Sequence, residues 1–426
     1  MRRTTLTKDK VGFTSSRCME LHKDTDLVTF CKAWDIVVSR ASILRTRIVQ
    51  LDGNGWLQVV LGSRMEWSRY QTINEQKNYA QTSDMGAGTA LLRLSIIDPG
   101  NGEPRHFVIQ LHWAAYDGWA IRMMFAEAER LYRDSTWNGV LRDMSTFIKH
   151  IEQIDKTQAM SFWKQQFSGC GQGAIFPQYK PVSKGTNLCY ERYEEVDVPI
   201  KEALVQQRDF TLAIVVRAAL GLVIANTNRS DDAVFGATVI GRQASVPEMD
   251  RMAGPAFVTL PIRIRVDHNI SVKELFNMVQ AQAISMIPYE QVSLTEIRQA
   301  SKEAALACGF RTLLVIQSSI KKGDPRHRGG AEVDGVCQSM YAHELVAGPH
   351  AIIELGQRTG DYAIYVECKL GAVASDPVSL RVCIDSEVVS DKEAETFMQE
   401  LVAAVQWLGN PENANPRVPN DGFRTR

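Results

Sequence analysis

Two periods alternate along this chain, and that alternation limits its fold more than any other feature. In "HFVIQLHW" Phe107, Ile109 and Leu111 share one face and Gln110 and His112 the other, the two-residue period of a strand with His112 on its polar side. "SILRTRIVQL" alternates in the same way and predicts a second strand. "TDLVTFCKAWDIVVSRA" instead repeats Leu27, Phe30, Ala33, Trp34 and Val37 at helical spacing, an amphipathic helix suited to pack on a sheet. No fixed-period repeat or low-complexity block interrupts the pattern. The fold expected is mixed α and β.

The second half repeats the theme. "SVKELFNMVQAQAISMI" opens with a capping box, Ser271 and Glu274, and aligns Val272, Leu275, Phe276, Val279 and Ala283. A second box, Ser390 with Glu393, opens "SDKEAETFMQELVAAVQWLG", which Gly409 and Pro411 close. "FVTLPIRIRV" reads as a strand whose Pro261 implies an edge or a bulge, and "RTLLVIQ", "YAIYVECKL" and "SLRVCID" complete the strand set. "KKGDPRHRGG" reads as a solvated loop.

The chain has 426 residues, of which 45% are hydrophobic and 23% charged, the balance of a globular protein. At roughly 150 residues per domain that length favours more than one core. The Gly, Pro and Ser enrichment of "SFWKQQFSGCGQGAIFPQYKPVSKGTN" marks a crossing. The division expected is a first lobe over 1–170, a linker over 171–186, a second lobe over 187–410 and a flexible tail over 411–426.

Composition also excludes partners. Forty-eight basic against 49 acidic residues give a net charge of -1, so no global field draws in nucleic acid or an anionic membrane. The longest apolar run, Leu212 to Ala225, is broken by Arg217 and too short for a bilayer, so it reads as a buried helix. "MRRTTLTKDK" lacks the apolar core of a secretory signal, which points to the cytoplasm. The cysteines at 18, 31, 170, 189, 308, 337, 368 and 383 form no CxxC pair and read as buried thiols, with no metal site expected.

The candidate site is "LHWAAYDGWA", Leu111 to Ala120. Asp-Gly after a strand is a frequent turn, with Gly118 supplying a positive φ. His112 stands five residues before Asp117 at a strand rim, with Trp113, Tyr116 and Trp119 interleaved in a length able to line a pocket. A neutral imidazole suits proton removal from an attacking amine or hydroxyl; a structural histidine fits the same residues. Asp117 reads either as a base or as a structural carboxylate paired with arginine, Arg45 and Arg47 being the first partners to expect.

"ASILRTRIV", "HWAAYDGW", "DDAVFGATVIGR", "MAGPAFVTLPIRI", "YEQVSLTEI" and "RTLLVIQ" occur in the order and rough spacing of the condensation domains of nonribosomal peptide synthetases. The resemblance runs from about Cys18 to Leu408 and is greatest to the fungal and terminal, cyclising or releasing kinds. It implies an α/β fold of α+β sandwich lobes, two chloramphenicol-acetyltransferase-like lobes in a V-shaped pseudo-dimer, with Leu111 to Trp119 where they meet. It implies no bound cofactor and a substrate carried on the phosphopantetheine arm of a separate carrier protein.

The chain departs from the family at its central position. In the pattern His-His-x-x-x-Asp-Gly, counting back from Asp117 puts the first His at His112 and the second, credited with catalysis, at Trp113. Val258 replaces a frequent Asn, Tyr289-Glu290 replaces His-Glu, and the strand and helix usual before "RCMEL" are expected to be missing. With no adenylation or carrier segment recognised, the chain reads as a stand-alone condensation-like protein. Three functions stay open: an acyltransferase or cyclase acting in trans, with His112 moved by a one-residue bulge into the place of the missing His; a site that shapes its substrate, with Trp113 and Tyr116 binding it; and a non-catalytic module that binds carrier or tailoring proteins.

Overall fold

The computed structural model describes residues 14–51, 55–62, 65–82, 85–139, 141–178, 190–198, 210–318, 352–354, 362–370, 378–413, 415–419 and 423. The chain divides into two compact α/β units, each built from three stretches of sequence. One takes 1–149, 246–256 and 320–359; the other takes 150–245, 257–319 and 360–426.

The first unit contains β1 (Thr14–Glu20), α1 (Leu27–Arg40), β2 (Thr46–Leu51), β3 (Gly55–Val60), β4 (Trp67–Tyr70), α2 (Ile73–Thr82), β5 (Leu92–Ile97), β6 (His106–His112) and α3 (Gly118–Arg133). Its five-stranded sheet runs β11 (Ile352–Glu354), β1, β6, β5, β4, antiparallel except for the β5–β4 pair, while β2 and β3 form a separate hairpin. Asp26 starts α1 by accepting the Val28 and Thr29 N–H groups. The helix then buries Phe30, Ala33, Trp34, Val37 and Val38 against the sheet, with the Phe30 and Trp34 rings 5.0 and 5.3 Å from that of Phe107. Burying each such aromatic is worth about 1.5–3 kcal/mol, so Phe107→Ala would be the most damaging single change here.

Two strand expectations change. "SILR" is a 3-10 turn over Ser42–Arg45, and the strand starts only at Thr46. The polar side of β6 is not solvated: β6 is the central strand, and Gln110 and His112 are buried beneath the second face of the sheet. There Ile73 of α2 packs with Tyr70 on Cys18, Ile97 and Val108.

The second unit contains α5 (Lys156–Phe167; α4, Ser145–Glu152, precedes it), β7 (Tyr190–Val198), α6 (Leu212–Asn228), β8 (Asp232–Val239), β9 (Val258–Arg265), α7 (Val272–Met286), α8 (Leu294–Ala300), α9 (Lys302–Ala307), β10 (Thr312–Ser318), β12 (Ile364–Leu370), β13 (Val378–Asp385) and α10 (Asp391–Leu408). The six-stranded sheet runs β7, β13, β12, β10, β8, β9, with β12, β10 and β8 parallel. The apolar run of α6 is buried on almost every side between the sheet, α7 and α10. Gly221 permits this, since a Cβ there would lie 2.7 Å from Ile264. Pro261 stands on β9, the edge strand, where its missing N–H costs no ladder bond. The capping boxes of Ser271 and Ser390 are both formed.

The lobe boundaries differ from those expected. α5 belongs to the second unit because Ala159, Trp163 and Phe167 enter its core, so the first unit's opening stretch ends at Lys149, not at 170. The linker assigned to 171–186 is packed as far as described: Ala174, Ile175 and Phe176 are buried, and Ile175 bridges Val234. Part of the expected tail is also fixed, with Val418 and Phe423 in the core and Phe423 5.9 Å from the Trp407 ring. Residues 1–13, 179–189 and 321–330, and with them the proposed basic N-terminus, Cys189, the end of the linker and the solvated loop, lie outside the described residues, as does Cys337.

Candidate functional site

The loop at Leu111 to Ala120 is set by the end of β6 and the start of α3, all within the first unit. Pairing with β1 continues without a shift from Glu20 opposite His106 to Thr14 opposite His112. The bulge that would move His112 into the second-histidine place is therefore not there. Instead the His112 N–H donates to the Leu91 carbonyl at 3.0 Å, and the Ala115 N–H closes a turn onto the His112 carbonyl at 2.8 Å.

The His112 side chain is 1% exposed, and its Nδ1 accepts the Ala114 N–H at 3.0 Å. That bond requires a lone pair on Nδ1, so a neutral ring carries its proton on Nε2. Neither nitrogen then has a free lone pair with which to take a proton from a nucleophile. His112 would have to break its bond to Ala114 before it acted as a base. Trp113, the next residue, is 38% exposed, and Tyr116 is half-buried against the helix-side core. The sequence candidates thus separate: the histidine is inside, while the indole in the family's catalytic position reaches out.

Asp117 is buried, and each carboxylate oxygen accepts a backbone N–H. Oδ1 takes that of Ala120 at 2.7 Å, as the cap of α3, and Oδ2 takes that of Ala256 at 2.9 Å. The arginines expected to pair with it are engaged elsewhere. Arg45 lies on the 3-10 turn, not on a strand, and donates to the carbonyls of Val38, Ser39 and Leu61, closing the C-terminal end of α1. Arg47 donates to the Thr46 carbonyl; burial and the neighbouring Arg93 charge hold its pKa below the usual arginine range. Gly118 is also not the positive-φ residue of a turn: it is the first residue of α3, and a Cβ there would meet nothing within 4 Å.

Sequence reasoning missed the partners that fix this loop, because they are backbone atoms. The Trp119 indole N–H donates to the Asp250 carbonyl at 2.8 Å, and Arg142 holds Glu248 through two bonds of 2.7 and 3.0 Å. Residues 246–256 are thereby bound to the loop. Glu290, where the family often has its His-Glu, belongs to the second unit and is 6% exposed; burial pushes its carboxyl up to about 7 while Arg217 pulls it down. Among the described residues no group of three or more His, Cys, Asp or Glu is placed to hold a metal ion, and no helix is long and apolar enough to cross a membrane.

Comparison with known proteins decides the family. The condensation-domain family matches residues 4–339. This chain belongs to the condensation-domain family. Among fungal relatives it is 31% identical over 404 residues to the nonribosomal peptide synthetase ungA of Aspergillus violaceofuscus, covering 94% of this chain, and 30% identical over 394 residues to dtxS1 of Metarhizium robertsii, covering 92%. The condensation domain spans about 4% of the length of either synthetase. Its fold is that of solved condensation domains. The one from the Monacolin K polyketide synthase MokA superposes with a TM-score of 0.67 at 16% identity over 96% of this chain and 95% of that one. The first condensation domain of the calcium-dependent antibiotic synthetase, bound to a substrate analogue, gives 0.65 at 12% identity, covering 96% and 94%.

Proposed function

We propose that this condensation domain receives a peptidyl or polyketide-peptidyl thioester from the phosphopantetheine arm of a carrier protein supplied in trans, and promotes its transfer to an amine or hydroxyl, or its cyclisation and release. It does so by orienting the reacting groups, not by histidine general base catalysis. The observation that carries this reading is the pair of adjacent residues 112 and 113. The imidazole is buried with both nitrogens committed, and the residue that reaches out is an indole, which cannot take a proton. An amine attacks the thioester carbonyl, the C–S bond breaks, and the departing thiolate ends as a thiol with the proton the nitrogen loses. Holding the two groups at reaction distance supplies effective molarities of about 10⁵–10⁸ M, enough to drive such a step without a positioned base. Trp113 and Tyr116 bind and shape the substrate.

The same indole favours a second reading, a non-catalytic module that binds carrier or tailoring proteins. One assay separates them: product formation by mass from a carrier-loaded donor, with wild type, His112→Asn, Trp113→Ala and Trp113→His. On the proposed reading His112→Asn retains turnover and Trp113→Ala loses it. A loss of ~10²–10⁴-fold in His112→Asn, the size expected for a missing general base, would overturn it. No product from wild type, together with carrier binding by calorimetry, leaves the binding module.

A further inference from the structure

The second face of the first unit's sheet carries polar groups that the site above does not use. Val108, Gln110 and His112 point to this face, away from α1 and α3, and Ser16 and Arg93 lie opposite Gln110 on the neighbouring strands. Helix α2 crosses above them. Ile73 packs on the Val108 row, and Tyr79 lies 5.6 Å beneath the Arg93 guanidinium. Gln76, three residues from each, is therefore held over the sheet between the two rows, and it is 0% exposed.

Within the protein, Ser16 Oγ, Gln110 Oε1 and both Oε1 and Nε2 of Gln76 are buried without a hydrogen-bond partner. Buried amides and hydroxyls left unmatched destabilise a fold, and leucine at these positions would remove that penalty. Packing alone thus gives no reason for two glutamines here. Their combined capacity, one donor with three acceptor or hydroxyl oxygens and no charge, fits a neutral group that both donates and accepts.

We infer that this face, formed by Ser16, Gln110 and Gln76 beside His112, is a binding site for a carboxamide or peptide amide. A peptide N–H is taken by Gln110 Oε1 or Gln76 Oε1, and its carbonyl by Gln76 Nε2 or the Ser16 hydroxyl. The site is defined by these side chains and does not depend on how Trp113 acts.

The test uses the full chain and N-acetylglycinamide as probe, with saturation-transfer NMR as readout and methyl N-acetylglycinate, which lacks the terminal amide donor, as control. Wild type is expected to bind the probe and to bind the ester more weakly. Gln76→Leu and Gln110→Leu are expected to weaken the probe by about tenfold each while raising the melting temperature. Should either leucine fail to fold, Ser16→Ala, which barely changes volume, gives the same reading. Equal binding by wild type and folded variants, no binding by wild type, or a high-resolution crystal structure grown with the probe that shows only water on these atoms would each overturn the assignment.

Discussion

Asp117 Oδ2 accepts the Ala256 N–H at 2.9 Å, joining residues 139 positions apart, while Oδ1 accepts that of Ala120. One carboxylate thus starts α3 and holds the segment 246–256. Asn at this position places an amide NH₂ against one of the two N–H donors. Asp117→Asn is expected to cost about 1–3 kcal/mol, read as a lower melting temperature. An unchanged melting temperature with lost product would make Asp117 a reacting group instead.

For His112 the acceptor matters more than the ring. His112→Asn keeps an oxygen able to accept the Ala114 N–H, whereas His112→Leu leaves that N–H buried and unmatched. The leucine variant should be less stable than the asparagine variant by about 1–3 kcal/mol in denaturant unfolding. Equal stability would show that this bond does not hold the loop.

Arg45 should behave as a helix closure. Arg45→Met removes the donors to Val38, Ser39 and Leu61, and the end of α1 is expected to fray. Hydrogen exchange at residues 37–41 checks this: protection should fall there and stay constant at Ala120. A matching loss at Ala120 would mean that Arg45 also supports Asp117.

Glu290 makes stability depend on pH. Its carboxyl is pushed up to about 7 from 4.5, first by burial, with Arg217 opposing. The folded chain then keeps a proton that the unfolded chain has released, so the contribution is full below about 4.5 and is lost as pH rises through about 7. Glu290→Gln should flatten the fall in melting temperature between about pH 5 and about pH 8. A variant with the wild-type slope would assign the effect to other groups.

Periodic segments were legible in the sequence wherever one side of an element met a core. The α1 stripe, both capping boxes and the edge position of Pro261 all read correctly, because each depends on neighbours within a few residues. The polar side of β6 misled, since alternation reports two unlike faces but not whether α2 covers one of them. The Asp117 partners were illegible for a related reason. A carboxylate satisfied by main-chain N–H groups leaves no side-chain signature, so an arginine looked the better match. The register that excludes a bulge at His112 is likewise written in β1, not in the motif.

The interleaved segments bear on how the chain is made. Synthesis proceeds from the N-terminus, and a domain ordinarily folds once its residues have left the ribosome. Here the first unit's sheet takes its outer strand from Ile352–Glu354, and its loop is held by Ala256. A nascent chain carrying only the first 149 residues therefore lacks both, and must wait, with β1 unpaired on one side, until most of the second unit has emerged. Translation speed and chaperone cover over that interval, more than any property of the finished protein, set how much of this chain reaches its native state.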